Sequence, residues 1–195
     1  MRWELRPRLF LRTSEFLSQE GHTAHATADE PHEYALEILE DAYAATMERD
    51  LAIPAWRGRK TDREKFAGTL ISWSCEGLMR NGRALQMGTS HEPGQNFAHA
   101  FDIAYTDEHG GLQRSWQTSW GASTRLLGAT IMVHGDDRGL RLPPRIAPTR
   151  VVVLVARPGE GVIDRATTLV QELAAAGIRV DLDTYTDVSA GRPDR

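Results

Sequence analysis

Arg2, Glu4, Arg12 and Glu15 are residues near the start of this chain whose types and spacing could do chemistry. Side chains alternate along an extended segment, so Arg2 and Glu4 of the run Arg2-Trp3-Glu4 share one face. The turn formers around Pro7 and Arg8 then bring a second group, Arg12-Thr13-Ser14-Glu15-Phe16, back beside them. Guanidinium groups grip phosphate oxygens in a fork, while a carboxylate can accept from the exocyclic amine of a base. Two solvated charge pairs on an edge hairpin are the other reading of the same residues.

Further along, Arg125 opens an apolar helical stretch, so its guanidinium can reach a cleft while the helix anchors its base; a surface helix arginine is the alternative. The run Gln86-Met87-Gly88-Thr89-Ser90-His91 mixes an amide, hydroxyls and an imidazole. Other patterns carry less. His22-x-x-His25 supplies two metal ligands without a clear third. His134-Gly135-Asp136-Asp137 has the composition of a hydrolase metal cluster but reads as a helix end, and Gly58-Arg59-Lys60-Thr61 lacks the spacing of a Walker A loop. Cys75, the only cysteine, excludes an intrachain disulfide and a cysteine-based zinc cluster, and reads as core.

The elements that must position these groups follow from periodicity and punctuation. Residues 1–25 read as two strands joined by a loop. Thr27-Ala28-Asp29-Glu30 has capping-box spacing, and Leu36, Leu39, Tyr43 and Met47 recur at helical spacing, predicting one amphipathic helix over about 30–50. Thr61-Asp62-Arg63-Glu64 repeats the capping pattern and predicts a short helix to about Ala67. Strands over 69–79 and 84–90 flank Asn81-Gly82, a hairpin signal. A helical turn at 95–101, strands near 102–106 and 112–121, and a helix over 123–134 capped by Gly135 follow. Beyond the proline-marked linker 142–148, a buried strand at 151–155, a helix over 162–176 ended by Gly177 and a parallel strand at 178–182 make one βαβ unit. That unit is too small to be a finished domain.

The whole run from Arg2-Trp3-Glu4 through Phe10-Leu11-Arg12-Thr13-Ser14-Glu15-Phe16-Leu17-Ser18-Gln19-Glu20-Gly21-His22-Thr23-Ala24 closely resembles motif 2 of prolyl-tRNA synthetase. This is a class II aminoacyl-tRNA synthetase of the type shared by archaea, eukaryotes and some bacteria. Three further segments extend the resemblance. Gly58-Arg59-Lys60-Thr61 through Lys65-Phe66-Ala67-Gly68 is similar to the segment that closes the proline pocket. Gln86 to His91, with Gly94-Gln95-Asn96-Phe97, is similar to the ATP- and proline-binding loop. Trp120-Gly121-Ala122-Ser123-Thr124-Arg125, with 126–144, is similar to motif 3.

The resemblance implies an α+β fold. Residues 1–148 would be the class II catalytic core, an antiparallel sheet flanked by helices, and 149–195 the truncated start of an α/β anticodon-binding domain. It implies a proline–tRNA ligase that activates proline with ATP and Mg2+, then transfers it to tRNA(Pro) in protein synthesis. Arg2 and Arg125 would be catalytic, at the α- and γ-phosphates. Glu4, Arg12, Thr13, Phe16, Gln86, Thr89 and Ser123 would bind ATP with them, and Gln86 would be the magnesium ligand. Arg2, Glu20, His22, Phe66 and His91 would hold proline. Two departures bear on the proline end: the family usually has tryptophan where Ser18 stands, and the upstream Thr-x-Glu loop that holds the proline nitrogen is absent. A homodimer is expected for the full-length family, but motif 1, through which it forms, is absent too, which puts dimerisation of this chain in doubt. A non-catalytic remnant that binds ATP or a partner is the competing expectation.

Composition agrees with a globular protein and little more. The 41% hydrophobic content comes without an apolar run of membrane-helix length or a signal-peptide pattern, so cytoplasmic residence is the default. The net charge of −4 does not exclude tRNA, because a local basic patch suffices.

Overall fold

The computed structural model describes residues 3–157 and 159–184. The chain divides into two compact units, Met1–Gly135 and Asp136–Arg195, each treated by itself below.

The first unit is built on a five-stranded, wholly antiparallel sheet. Its strands are β1 (Ser18–His25), β2 (Ala55–Arg59), β3 (Ile71–Leu78), β4 (Ala84–Gly94) and, after the small hairpin of β5 (Ala104–Thr106) and β6 (Leu112–Arg114), β7 (Trp116–Ser123). The order is β1-β7-β4-β3-β2, so β7 and β4 are central. Helix α1 (Glu30–Glu37) continues through π-type turns at Ile38–Ala44 and Thr46–Asp50 and lies across one sheet face. It buries Leu39, Tyr43 and Met47 there with Ile53, Cys75 and Met87. Each such large side chain contributes about 1.5–3 kcal/mol through burial. Short α2 (Asn96–Ala100) and α3 (Arg125–His134) complete the unit.

Two glycines let the helix-bearing face close. A Cβ on Gly21 would lie 2.6 Å from Trp120 Nε1, and one on Gly88 would lie 2.9 Å from the Tyr43 ring. Trp120 in turn packs tilted on Tyr34, with centroids 5.5 Å apart. The face is thus sealed by aromatic rings resting on bare backbone.

Several sequence expectations need correction. Residues 3–17 form no first strand; their only ladder contact is an isolated Arg8–Arg12 bridge, and Phe10 turns the chain at φ 60°. Pro7 lacks the N–H that a strand there would donate. The short helix after Thr61 is a single turn, closed by Glu64 and Lys65 N–H donating to Thr61 O. Gly135 caps α3 with an extended φ of −88°, so it is needed for room, since a Cβ would meet Ile131 O at 2.6 Å. The expected strand over 112–121 is split at Ser115 into β6 and β7.

A two-residue hairpin, β8 (Gly135–Asp136) with β9 (Gly139–Leu140), precedes the second unit's main element. There β10 (Val151–Leu154) pairs in parallel with β11 (Val180–Asp183) through α4 (Val162–Ala175). Gly177 ends the helix region at φ 76°, the left-handed conformation glycine adopts freely. The βαβ unit is as expected, but the strand is not buried: Val151, Val152 and Leu154 are exposed, because two strands and one helix cover only one side.

Candidate active site

The sheet face opposite α1 is open. Alternation places Ser18, Glu20 and His22 of β1 on it, register-matched to Ser123, Gly121 and Ser119 of β7, with Thr89 and His91 of β4 on the other flank of β7. Gln86 should point the other way, being three residues from Thr89. A β-bulge corrects this: Cys75 pairs with Gly88 and Glu76 with Gln86, leaving Met87 as the extra residue. Met87 and Gly88 both turn to the core, and Gln86 rejoins Thr89 and His91 on the open face. Bulges re-aim side chains in this way.

These groups line a cleft of about 830 Å3, within the usual size for a small-molecule site. Of the expected residues, Phe16, Glu20, His22, Phe66, Gln86, Thr89, His91, Ser123 and Arg125 all border it. Arg12 borders an adjoining cavity of about 530 Å3 with Arg6, Arg8, Gln86 and Arg125. Glu4 pairs with Arg12 at 3.4 Å, and Thr13 borders neither cavity. Arg2 lies outside the described residues. Anchoring the arm that carries Arg12, Leu11 sits over Gly128 of α3, where a Cβ would come within 2.6 Å of it.

One end of the cleft is cationic. Arg125, first residue of α3, donates through Nη1 to Gln86 O at 3.2 Å, and its N–H reaches Ser123 Oγ at 3.3 Å. The helix N-terminus adds to the positive potential there. Lys60 donates its ammonium to Gln86 Oε1, the oxygen assigned to magnesium by resemblance. Among the described residues there is no group of three or more His, Cys, Asp or Glu that could hold a metal ion.

The other end is small, half apolar and acidic. Phe66 packs tilted against His91, with centroids 5.4 Å apart. Burial first, then the Lys60 charge, holds the His91 imidazole down at about 4, so it is neutral at physiological pH. Its Nδ1 bonds Ser72 Oγ at 2.8 Å. Ser18, where the family's tryptophan is expected, donates its hydroxyl to Glu20 at 3.1 Å. Between the ends, Gly121 leaves the floor bare; a Cβ there would make only ordinary contact, 3.5 Å to Glu20 Cγ. His25 turns to the opposite face, bonding Thr23 Oγ1 at 2.7 Å, so His22-x-x-His25 is no ligand pair.

Sequence reasoning missed Lys60, Glu64 and Ser72 as site residues, and the arginines at 6 and 8. Lys60 and Glu64 stood inside a segment already singled out, but nothing in the spacing gave the loop's direction. The serine carried no signal, since its role arises only from strand register.

Antiparallel sheets backed by helices, with the open face lined for ligand, are the architecture of class II aminoacyl-tRNA synthetases. A solved structure of prolyl-tRNA synthetase from Cryptosporidium parvum, complexed with L-proline and AMP, superposes with a TM-score of 0.88 at 42% identity, over 97% of this chain and 42% of that one. Proline–tRNA ligase 2 of Streptomyces avermitilis is 54% identical over 192 residues, and the proline–tRNA ligase of Roseiflexus castenholzii is 60% identical over 154. No protein-family profile matches. The chain belongs to the prolyl-tRNA synthetase family, and spans about 41% of the length of the Streptomyces relative.

Proposed function

We propose that this chain carries the ATP- and proline-binding face of a proline–tRNA ligase. The observation that supports it most is the bipartite cleft, arginine-rich where a polyphosphate would lie and small, neutral and acid-tipped where a cyclic secondary amine would lie. In this reading the proline carboxylate attacks the α-phosphate of ATP, forming a carboxyl–phosphate bond and releasing pyrophosphate. The prolyl group then passes to the terminal ribose of tRNA(Pro). The carboxylate is already nucleophilic, so the first step needs no protein base.

Arg125, with Arg6, Arg8 and Arg12 about it, would neutralise the phosphate tail; Arg2 is assigned the α-phosphate by resemblance alone. Phe16 would stack on the base and Glu4 would accept from its amine. Thr13, Gln86, Thr89 and Ser123 would complete the ATP contacts, while Glu20, His22, Phe66 and His91 would enclose proline. Catalysis would come from positioning and charge neutralisation. Magnesium would travel on the ATP phosphates, as that ion commonly does, and no step here is assigned to it. The division into catalytic core and anticodon-binding start at residue 148 belongs to this reading, as does residence in the cytoplasm with the translation machinery. Among the described residues no helix is long and apolar enough to cross a membrane.

Calorimetric titration with a non-hydrolysable prolyl-adenylate analogue tests the proposal. Saturable binding that free L-proline and ATP each weaken is expected. Binding that the alanyl analogue matches would overturn the proline assignment.

A further inference from the structure

Ser72 sits at the junction of a closed hydrogen-bond chain whose protons can be counted. It is fully buried on β3, opposite His91. Thr69 Oγ1 donates to Phe66 O at 2.7 Å, which uses the only proton of that hydroxyl. The contact between Thr69 Oγ1 and Ser72 Oγ, 3.0 Å, therefore needs the Ser72 proton. Ser72 Oγ then has two lone pairs left. One accepts the Phe66 N–H at 3.1 Å, and the other faces His91 Nδ1 at 2.8 Å. With no proton left on the serine to give, the histidine must supply its own.

We infer that Ser72 is a positioning residue which locks His91 in the tautomer protonated at Nδ1, so that Nε2 presents a lone pair to the ligand. A lone pair at the proline end selects for a hydrogen-bond donor. A secondary ammonium offers two N–H groups, whereas a carboxylate or an ether oxygen offers none. The neutral state of His91 over the physiological range agrees with this, since a doubly protonated ring could only donate. The same serine fixes the backbone of Phe66, so the loop wall and the imidazole are set together. This rests on the proline reading for the identity of the ligand, but not for the tautomer.

The test has two arms on the full chain. Nitrogen-15 NMR of the unliganded protein reports which ring nitrogen of His91 carries the proton, and Nδ1 is expected. Thr69→Val keeps the shape but frees the Ser72 proton to point at Nδ1, so the Nε2-protonated form should appear; Ser72→Ala should give a mixture. If Ser72→Ala fails to fold, Thr69→Val alone carries the test. A wild-type ring protonated at Nε2, or a tautomer unmoved by Thr69→Val, overturns the inference. Titration with L-proline then reads recognition: an affinity loss of about tenfold is expected in Thr69→Val, the size of one hydrogen bond to a charged group. A switched tautomer with unchanged proline affinity would overturn the recognition role while leaving the proton chain intact. No proline binding by the wild type would instead refute the proline reading alone.

Discussion

Two glycines, Gly21 and Gly121, lie on neighbouring strands and are directly paired to residues of opposite fate, so replacing each with alanine separates folding from binding. At Gly21 the new methyl would sit 2.6 Å from Trp120 Nε1, on a ring already held against Tyr34. An indole cannot fold away like a flexible chain end, so the sheet or the α1 region must shift. Overpacking of this kind costs about 1–3 kcal/mol. For a unit of this size that corresponds to a fall in Tm of roughly 3–10 °C. At Gly121 the methyl meets nothing closer than 3.5 Å. Relief of glycine's backbone entropy in a strand should instead add roughly 0.5–1 kcal/mol. Yet that methyl stands on the cleft floor between Glu20 and Thr89, and should weaken a prolyl-adenylate analogue by about 1–3 kcal/mol, tenfold or more. Thermal unfolding and calorimetry on both variants give four readings. Unimpaired stability in Gly21→Ala, or full analogue affinity in Gly121→Ala, would refute the assignment of faces.

Other outcomes are expected on the same footing. Arg125→Ala should lower ATP affinity by about 1.5–3 kcal/mol, with Arg125→Lys recovering part of it, by calorimetry. His91 is neutral in the fold down to about 4 but takes a proton near 6.5 when unfolded. The unfolded state therefore binds more protons between those values, so stability should fall as pH drops from about 6.5 to 4, and His91→Gln should flatten that slope in urea titrations. Cys75 is buried, contacts Leu39 O at 3.6 Å, and is pushed by burial up to about 12. A thiol reagent at pH 8 should modify it no faster than the unit unfolds, and rapid labelling in native buffer would contradict the core placement.

The helices and hairpins were legible because their signals are local. The 3.6-residue pattern of Leu36, Leu39, Tyr43 and Met47 marked the long helix, and Gly82, at φ 74°, supplied the left-handed turn between β3 and β4. The expected site residues came from the family resemblance, and most of them line one cleft. What stayed hidden depends on contacts distant in sequence. The arm over 3–17 looked like strands because its charges alternate, but it has no ladder partner beyond the Arg8–Arg12 bridge. The exposed Val151 and Val152 looked buried because an apolar run does not reveal how many neighbours cover it. Lys60 and Ser72 entered the site through a loop direction and a strand register, neither written in their own residue types.

The extra residue at Met87 has a consequence for how this segment can change over generations. Because Gln86 reaches the cleft only by virtue of one unpaired position, the spacing between Gln86 and Thr89 is itself a functional quantity. Replacing Met87 with another apolar residue leaves that spacing untouched. Deleting it would leave a regular ladder with Gln86 two residues before Thr89, still on the open face, whereas inserting one further residue would turn Gln86 to the core side. Lineages carrying this strand should therefore drift in letters at Met87 and tolerate the loss of that one codon far better than the gain of another.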